Sequence, residues 1–195
     1  MMETPINHIT GHVLIRDHQT QEVLVDKFNS INYENFSIAL AQGVANRSEG
    51  FINEMVFGNG AAVVSGVGTV VYLPPNTTGM DAQLYNETYN KVINDNNTAN
   101  VDPTQNFMTV IHNPGNLYTD LQVTCLLTLN EPAGQEAFDT ATNITTPYVF
   151  NELGLKTRAS AVDAGLLISH CIFTPIQKSL NREIEVVYTI RIQTA

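Results

Sequence analysis

The sequence predicts a mainly β fold, an antiparallel β-sandwich with about two α-helices packed at an edge or end. Three observations predict it. Short runs rich in β-branched residues recur along the 195 residues, separated by polar, Pro-bearing and Gly-bearing connections. The last run alternates strictly, with Ile184, Val186, Tyr188, Ile190 and Ile192 set against Glu183, Glu185, Val187, Thr189 and Arg191. That period of two gives one dry and one wet face, as in an antiparallel sheet solvated on one side. The composition, 43% hydrophobic and 14% charged, is that of a globular chain. A chain of this length buries roughly 70% of its unfolded surface, so it builds a core without metals or disulfides.

In order along the chain, residues 1–10 are expected to form an N-terminal arm and 11–195 a single domain. "GHVLIRD" and "EVLVDKFNSI" flank the polar "HQTQ" and read as a hairpin. In "NYENFSIALAQGVANRSEG", Phe36, Leu40 and Val44 lie four apart on one helical face. Asn32 or Asn35 is placed to cap the start, predicting a helix near 33–46. "FINEMVFGNG" returns to strand, and "TVVYLPPNTTG" is a short strand stopped by Pro74 and Pro75. Leu84, Tyr85, Tyr89 and Val92 fall near one helical side behind Asp81, which predicts a second helix near 81–94. "DNNTANVDPTQN" is a polar loop. "FMTVIHN" and "LYTDLQVTCLLTLNEP" are strands, the latter with Leu121, Val123, Cys125, Leu127 and Leu129 on one face. "PYVFNELGLKT" reads as a strand running into a turn.

Charge narrows the function classes. The formal net charge is −10, with nine Lys and Arg and no cluster of them, so phosphate-backbone binding is not expected. The opening "MMETPINHITGH" lacks the basic and apolar regions of a secretory signal, and no apolar run nears the roughly 20 residues of a membrane span. A soluble protein made in the cytoplasm is expected, without a membrane partner. The Asn-x-Ser/Thr triplets at Asn76, Asn86, Asn96 and Asn143 are then plain polar loop sequence.

Each candidate chemistry has a plainer competitor. "FGNGAAVVSGVG" follows a strand, but no helix opens behind its glycines to bind a phosphate, so it reads as a glycine turn. His8, His12, His18, His112 and His170 show no metal-ligand spacing. "DNNTANVD" is dense in oxygen donors yet lacks the Gly and Glu of an EF-hand loop. His170 and Cys171 are adjacent on a strand and point to opposite faces, which separates a base from a nucleophile. A partnership of His170 with a distant carboxylate stays open. Cys125 and Cys171 lie in apolar runs and are expected as buried thiols, with a disulfide between neighbouring strands as the open alternative. Glu183 and Glu185 lie about 7 Å apart along a strand, within the range for two catalytic carboxyls. Arg182 and Arg191 flank them, and the chain has no Trp for a sugar platform. No catalytic, cofactor or metal residues are assigned, and Lys178 is expected to be structural.

Three stretches resemble virion proteins of tailed bacteriophages. They are "GHVLIRDHQTQEVLVDKFNSINYENFSIALAQGVA", the "MVFGNGAA" turn, and "NELGLKTRAS...LLISHCIFTPIQKSLNREIEVVYTIRI", where a Leu-Gly turn leads to a Pro-containing strand and an alternating last strand. The resemblance spans most of the chain and carries no catalytic residues. It implies a non-enzymatic, homo-oligomeric accessory component of the particle. A capsid-decoration or neck protein is favoured and a tail or baseplate component comes next; the partners are other virion proteins and further copies of the chain. The alternatives are a receptor- or carbohydrate-binding module using Tyr85, Tyr89, Tyr118 and Tyr148, and a hydrolase using Glu183 and Glu185.

Overall fold

The computed structural model describes residues 8–66, 68–135, 146, 148–159 and 164–193. Among them lie eleven strands: β1 (His8–Asp17), β2 (Val23–Ile31), β3 (Ile52–Gly58), β4 (Ala62–Val64), β5 (Val70–Tyr72), β6 (Glu87–Val92), β7 (Phe107–Ile111), β8 (Tyr118–Leu127), β9 (Val149–Thr157), β10 (Leu167–Gln177) and β11 (Ile184–Gln193). One helix, α1 (Tyr33–Val44), and a single 3₁₀ turn (Ser48–Gly50) complete them. The fold is mainly β, as the alternating runs predict.

Nine strands form one curled antiparallel sheet in the order β6-β3-β9-β10-β2-β1-β11-β8-β7. Strand β2 makes the curl. Its first part pairs with β1, up to Asn29 opposite Gly11, and its last two residues, Ser30 and Ile31, pair with His170 and Ser169 of β10. The strand thereby passes from one layer, β1, β11, β8 and β7, to the other, β10, β9, β3 and β6. Inward residues of both layers meet in one core that includes Val13, Ile15, Met55, Phe57, Val123, Leu153, Leu155, Ile168 and Ile190. Burying each such side chain contributes about 1.5–3 kcal/mol.

Local chemistry explains the connections. Asp17 Oδ1 accepts from the amides of Gln19 and Thr20 at 3.0 and 2.8 Å, closing the β1–β2 turn. Asn32 caps α1, its Oδ1 accepting from Asn35 N at 3.1 Å. The loop from β6 to β7 is a chain of Asx turns. Asn94, Asn97, Asn100 and Asp102 accept from the amides of Asn96, Ala99, Asp102 and Thr104, at 2.9 to 3.1 Å. The carboxamide nitrogens reach back to Ile52 O, Asn53 Oδ1 and Asn106 O. This loop bridges the two open edges of the curl, and the oxygen atoms that looked like ion ligands serve it as turn formers.

Three expectations need correction. The helix near 81–94 does not exist: Glu87–Val92 is strand β6, paired with β3 from Glu54 to Gly58. Thr88, Tyr89 and Val92 are strand formers, and pairing with β3 overrides the helical spacing. The same stretch's Ala82 and Leu84 instead join Val56 and Leu167 in a small second core on the outer face of the sheet. The turn at Leu153–Gly154 is likewise absent, because both residues lie inside β9. Gly154 is needed there by close approach: a Cβ would stand 2.5 Å from Ser169 O and 2.7 Å from Leu167 Cδ1. Finally, β1 begins at His8, taking in three residues assigned to the arm, while 1–7 lie outside the described residues.

Candidate functional site

The residues singled out for chemistry are dispersed. His12 pairs with Asp26 at 2.6 Å on the surface, and His18 lies 4.0 Å from Glu185. His112 bonds the Tyr118 carbonyl at 3.1 Å, and His8 opens β1. Among the described residues, no three of His, Cys, Asp and Glu come together as ligands of an ion would. Glu185 is engaged by Arg16 and borders a shallow cavity of about 470 Å³ that Glu183 does not line. The tyrosines stand apart too. Tyr85 donates to Pro74 O at 2.6 Å, Tyr89 packs on the core, Tyr118 lies 3.8 Å under the Arg191 guanidinium, and Tyr148 precedes β9.

Cys125 and Cys171 are free and buried, and burial pushes both thiols up to about 12. Lys178 is fully buried, its Nζ donating to Gln135 Oε1 and Ser179 O at 3.0 Å each. The triplet at Asn143 lies outside the described residues.

One constellation does form, and its centre was not legible in advance. Glu152 of β9 and His170 of β10 meet at 3.0 Å with no solvent exposure. Glu152 Oε1 accepts from the amides of Gly60 and Asn86, and Oε2 from the amide of Tyr85 and from His170. Burial works to raise the Glu152 carboxyl pKa. The hydrogen bonds from His170, Tyr85, Asn86 and Gly60 outweigh it and hold the group below the ordinary range. The pair is thus a buried hub that fastens residues 59–61 and 73–86 to the sheet. Cys171, next along the strand, points into the main core on the opposite face.

Two surface features are shaped for contact. Strands β4 and β5 form a hairpin of their own, Val63 opposite Val71 and Val64 opposite Val70. Their valines and Tyr72 are between 39% and 58% exposed. This is the glycine-rich stretch: a turn, as expected, but one that presents an apolar hairpin. The second feature is an uncharged groove of about 630 Å³ beside α1, lined by Phe36, Leu40, Val44, Phe51, Met108 and Leu121 among others. The helix buries Phe36 and Ala39 but leaves Leu40 and Val44 at 51% and 83% exposure. Val110, opposite Leu121 on edge strand β7, extends the apolar surface at 72% exposure.

The two sheet edges differ. On β6, Lys91 points inward and donates to Leu126 O at 2.7 Å and to Glu131, a charged device that discourages edge pairing. On β7, "FMTVI" carries no charge. Most of the nine cations are consumed internally. Arg16, Lys27, Lys91, Lys156, Lys178, Arg182 and Arg191 bind Glu185, Ile172 O, Glu131, Glu87, Gln135, Asp17 and Asp120. Among the described residues this leaves Arg47 and Arg158 outside these pairings. No described helix is long and apolar enough to cross a membrane.

No protein-family model, no curated protein and no solved structure matches the chain.

Proposed function

We propose that the chain is a non-enzymatic structural component of a tailed bacteriophage particle, an oligomeric accessory protein. Capsid decoration or the neck is the favoured position, with the tail or baseplate next. The observation that carries this reading is the charge-free valine hairpin β4–β5, which stands outside the main sheet of a chain with a net charge of −10. Exposed apolar surface on an otherwise polar molecule marks a contact with other protein. The uncharged groove beside α1 and the unguarded edge β7 add two more such surfaces, and symmetric repetition multiplies modest contacts of this kind. The resemblance of three stretches to phage virion proteins supplies the setting.

The test is the mass in solution by light scattering, alone and with purified particles lacking this protein. A defined ring or trimer that binds those particles is the expected result. A monomer that ignores them would remove the proposal.

A further inference from the structure

His170 lies on the outer face of its layer, between Glu152 of β9 and the loop 73–86 that covers them both. The Asn76 amide donates to Nδ1 at 2.9 Å. A backbone N–H only donates, so Nδ1 carries a lone pair and the ring proton sits on Nε2, which donates to Glu152 Oε2 at 3.0 Å. Both ring nitrogens are therefore committed, and the neutral imidazole alone satisfies both partners.

The loop depends on this arrangement. Asn76 also donates through Nδ2 to Gln83 O at 3.0 Å, which ties the two arms of the loop together. The Tyr85 ring packs 5.7 Å from the imidazole, and the amides of Tyr85 and Asn86 end on Glu152. Leu73 N donates to Ala61 O at 2.9 Å, joining the loop to the base of hairpin β4–β5. The charged and titratable groups around the ring are Glu152 from β9, Tyr85 from the loop, Lys27 from β2, and Tyr72 of β5 and Cys171 of β10, which line a small cavity together with the ring. Lys27 borders the same small cavity and is engaged with Ile172 O at 2.8 Å. Farther along β9, Lys156 and Glu87 neutralise each other at 2.6 Å.

We propose that Glu152 and His170 form an acid-sensitive latch. It holds loop 73–86, and the valine hairpin at its base, against the sheet near neutral pH, and lets them go when the imidazole takes up a second proton. That proton comes from solvent and adds to Nδ1. It sets an N–H against the N–H of Asn76, and the only relief is movement of the loop to admit water or a carbonyl acceptor. Glu152 stays ionised throughout, since the new imidazolium beside it and the Gly60 amide, which lies outside the loop, favour the charged form, so the imidazolium keeps its counter-ion after the loop leaves. Acid thus opens one face of the molecule while the main core stays closed.

The experiment follows amide hydrogen exchange and the ring ¹⁵N shifts of His170 from about pH 8 to about pH 5, the range in which imidazoles change charge. Wild type is compared with His170→Gln, which keeps one acceptor and one donor without titrating. The expected result is a loss of protection at Asn76, Tyr85 and Asn86 of about tenfold, corrected for intrinsic rates, as for one lost buried hydrogen bond. It should track ring protonation while β1 and β11 amides stay protected and the variant stays flat. The proposal is overturned if the ring protonates with Asn76 still protected, or fails to protonate. It is equally overturned if protection is lost everywhere at once, or if His170→Gln responds as wild type does. Should the variant not fold, the wild-type ring shifts and exchange decide by themselves.

Discussion

The hydroxyl of Tyr188 on β11 donates to Ser169 Oγ on β10 across 2.6 Å, joining the two layers through the interior next to the residue where β2 changes layer. The same oxygen accepts from Asn29 Nδ2, and Tyr188 is fully buried. Desolvation drives its ionisation far above the ordinary tyrosine range, so the group is a neutral cross-link at any physiological pH. Removing the oxygen in Tyr188→Phe leaves the Asn29 amide and the Ser169 hydroxyl without this partner. The expected cost is about 1–3 kcal/mol, read as a lower urea midpoint at unchanged slope.

Glu152→Gln places an NH₂ where two N–H donors converge. A loss of about 1.5–3 kcal/mol is expected at neutral pH, as for hydrogen bonds to a charged group. The pH dependence has a fixed sign. The folded carboxyl is held below its unfolded value, so its stabilisation is present above about pH 4.3 and drains away as the pH falls through the folded value. Denaturation midpoints near neutrality and in acid should converge for wild type and variant. Parallel curves would show that Glu152 is not the group that titrates.

Thiol labelling tests the closure of the core. With both thiols raised to about 12, neither Cys125 nor Cys171 should react with iodoacetamide in the native protein near pH 8, and both should react in denaturant. The linkage runs the alkaline way. Unfolded thiols ionise from about pH 8.5, so stability is full below that pH and erodes as pH rises toward the folded value. Stoichiometric native labelling of either residue would contradict the burial described above.

Val71→Asp changes an exposed position, so folding stability should shift by no more than about 0.5 kcal/mol. If the hairpin is an assembly contact, the same change lowers the oligomer mass seen by light scattering. Leu40→Asp, in the groove beside α1, provides the parallel test.

What the sequence made legible was whatever rests on a short-range period. The alternation from Ile184 to Ile192, the β1–β2 hairpin, and a cap at Asn32 or Asn35 are each written in neighbouring residues, and the structure contains all three, the cap being Asn32. The stretch 81–94 misled because two causes share it. Leu84 packs outward on the sheet while Tyr89 packs inward, so their apolar spacing mimics a helical stripe without belonging to one surface. Glu152 was hidden for a different reason. A carboxylate in "NELG" looks like a surface residue, and only the return of residues 60, 85 and 86 supplies the donors that make its burial tolerable. The adjacency of His170 and Cys171 was read correctly as opposite faces, yet the partner of His170 lies on another strand, 18 positions away.

The pairing of most Lys and Arg with partners in the same molecule has an outcome for a solution of many copies. Each molecule carries a net charge of −10 into an encounter, so two copies repel one another at long range. Self-association should be discouraged in dilute buffer and quicken as ionic strength rises and the screening length shrinks to about 8 Å. A cationic platform would do the same work at a chosen place, collecting copies there while the free pool stays dispersed.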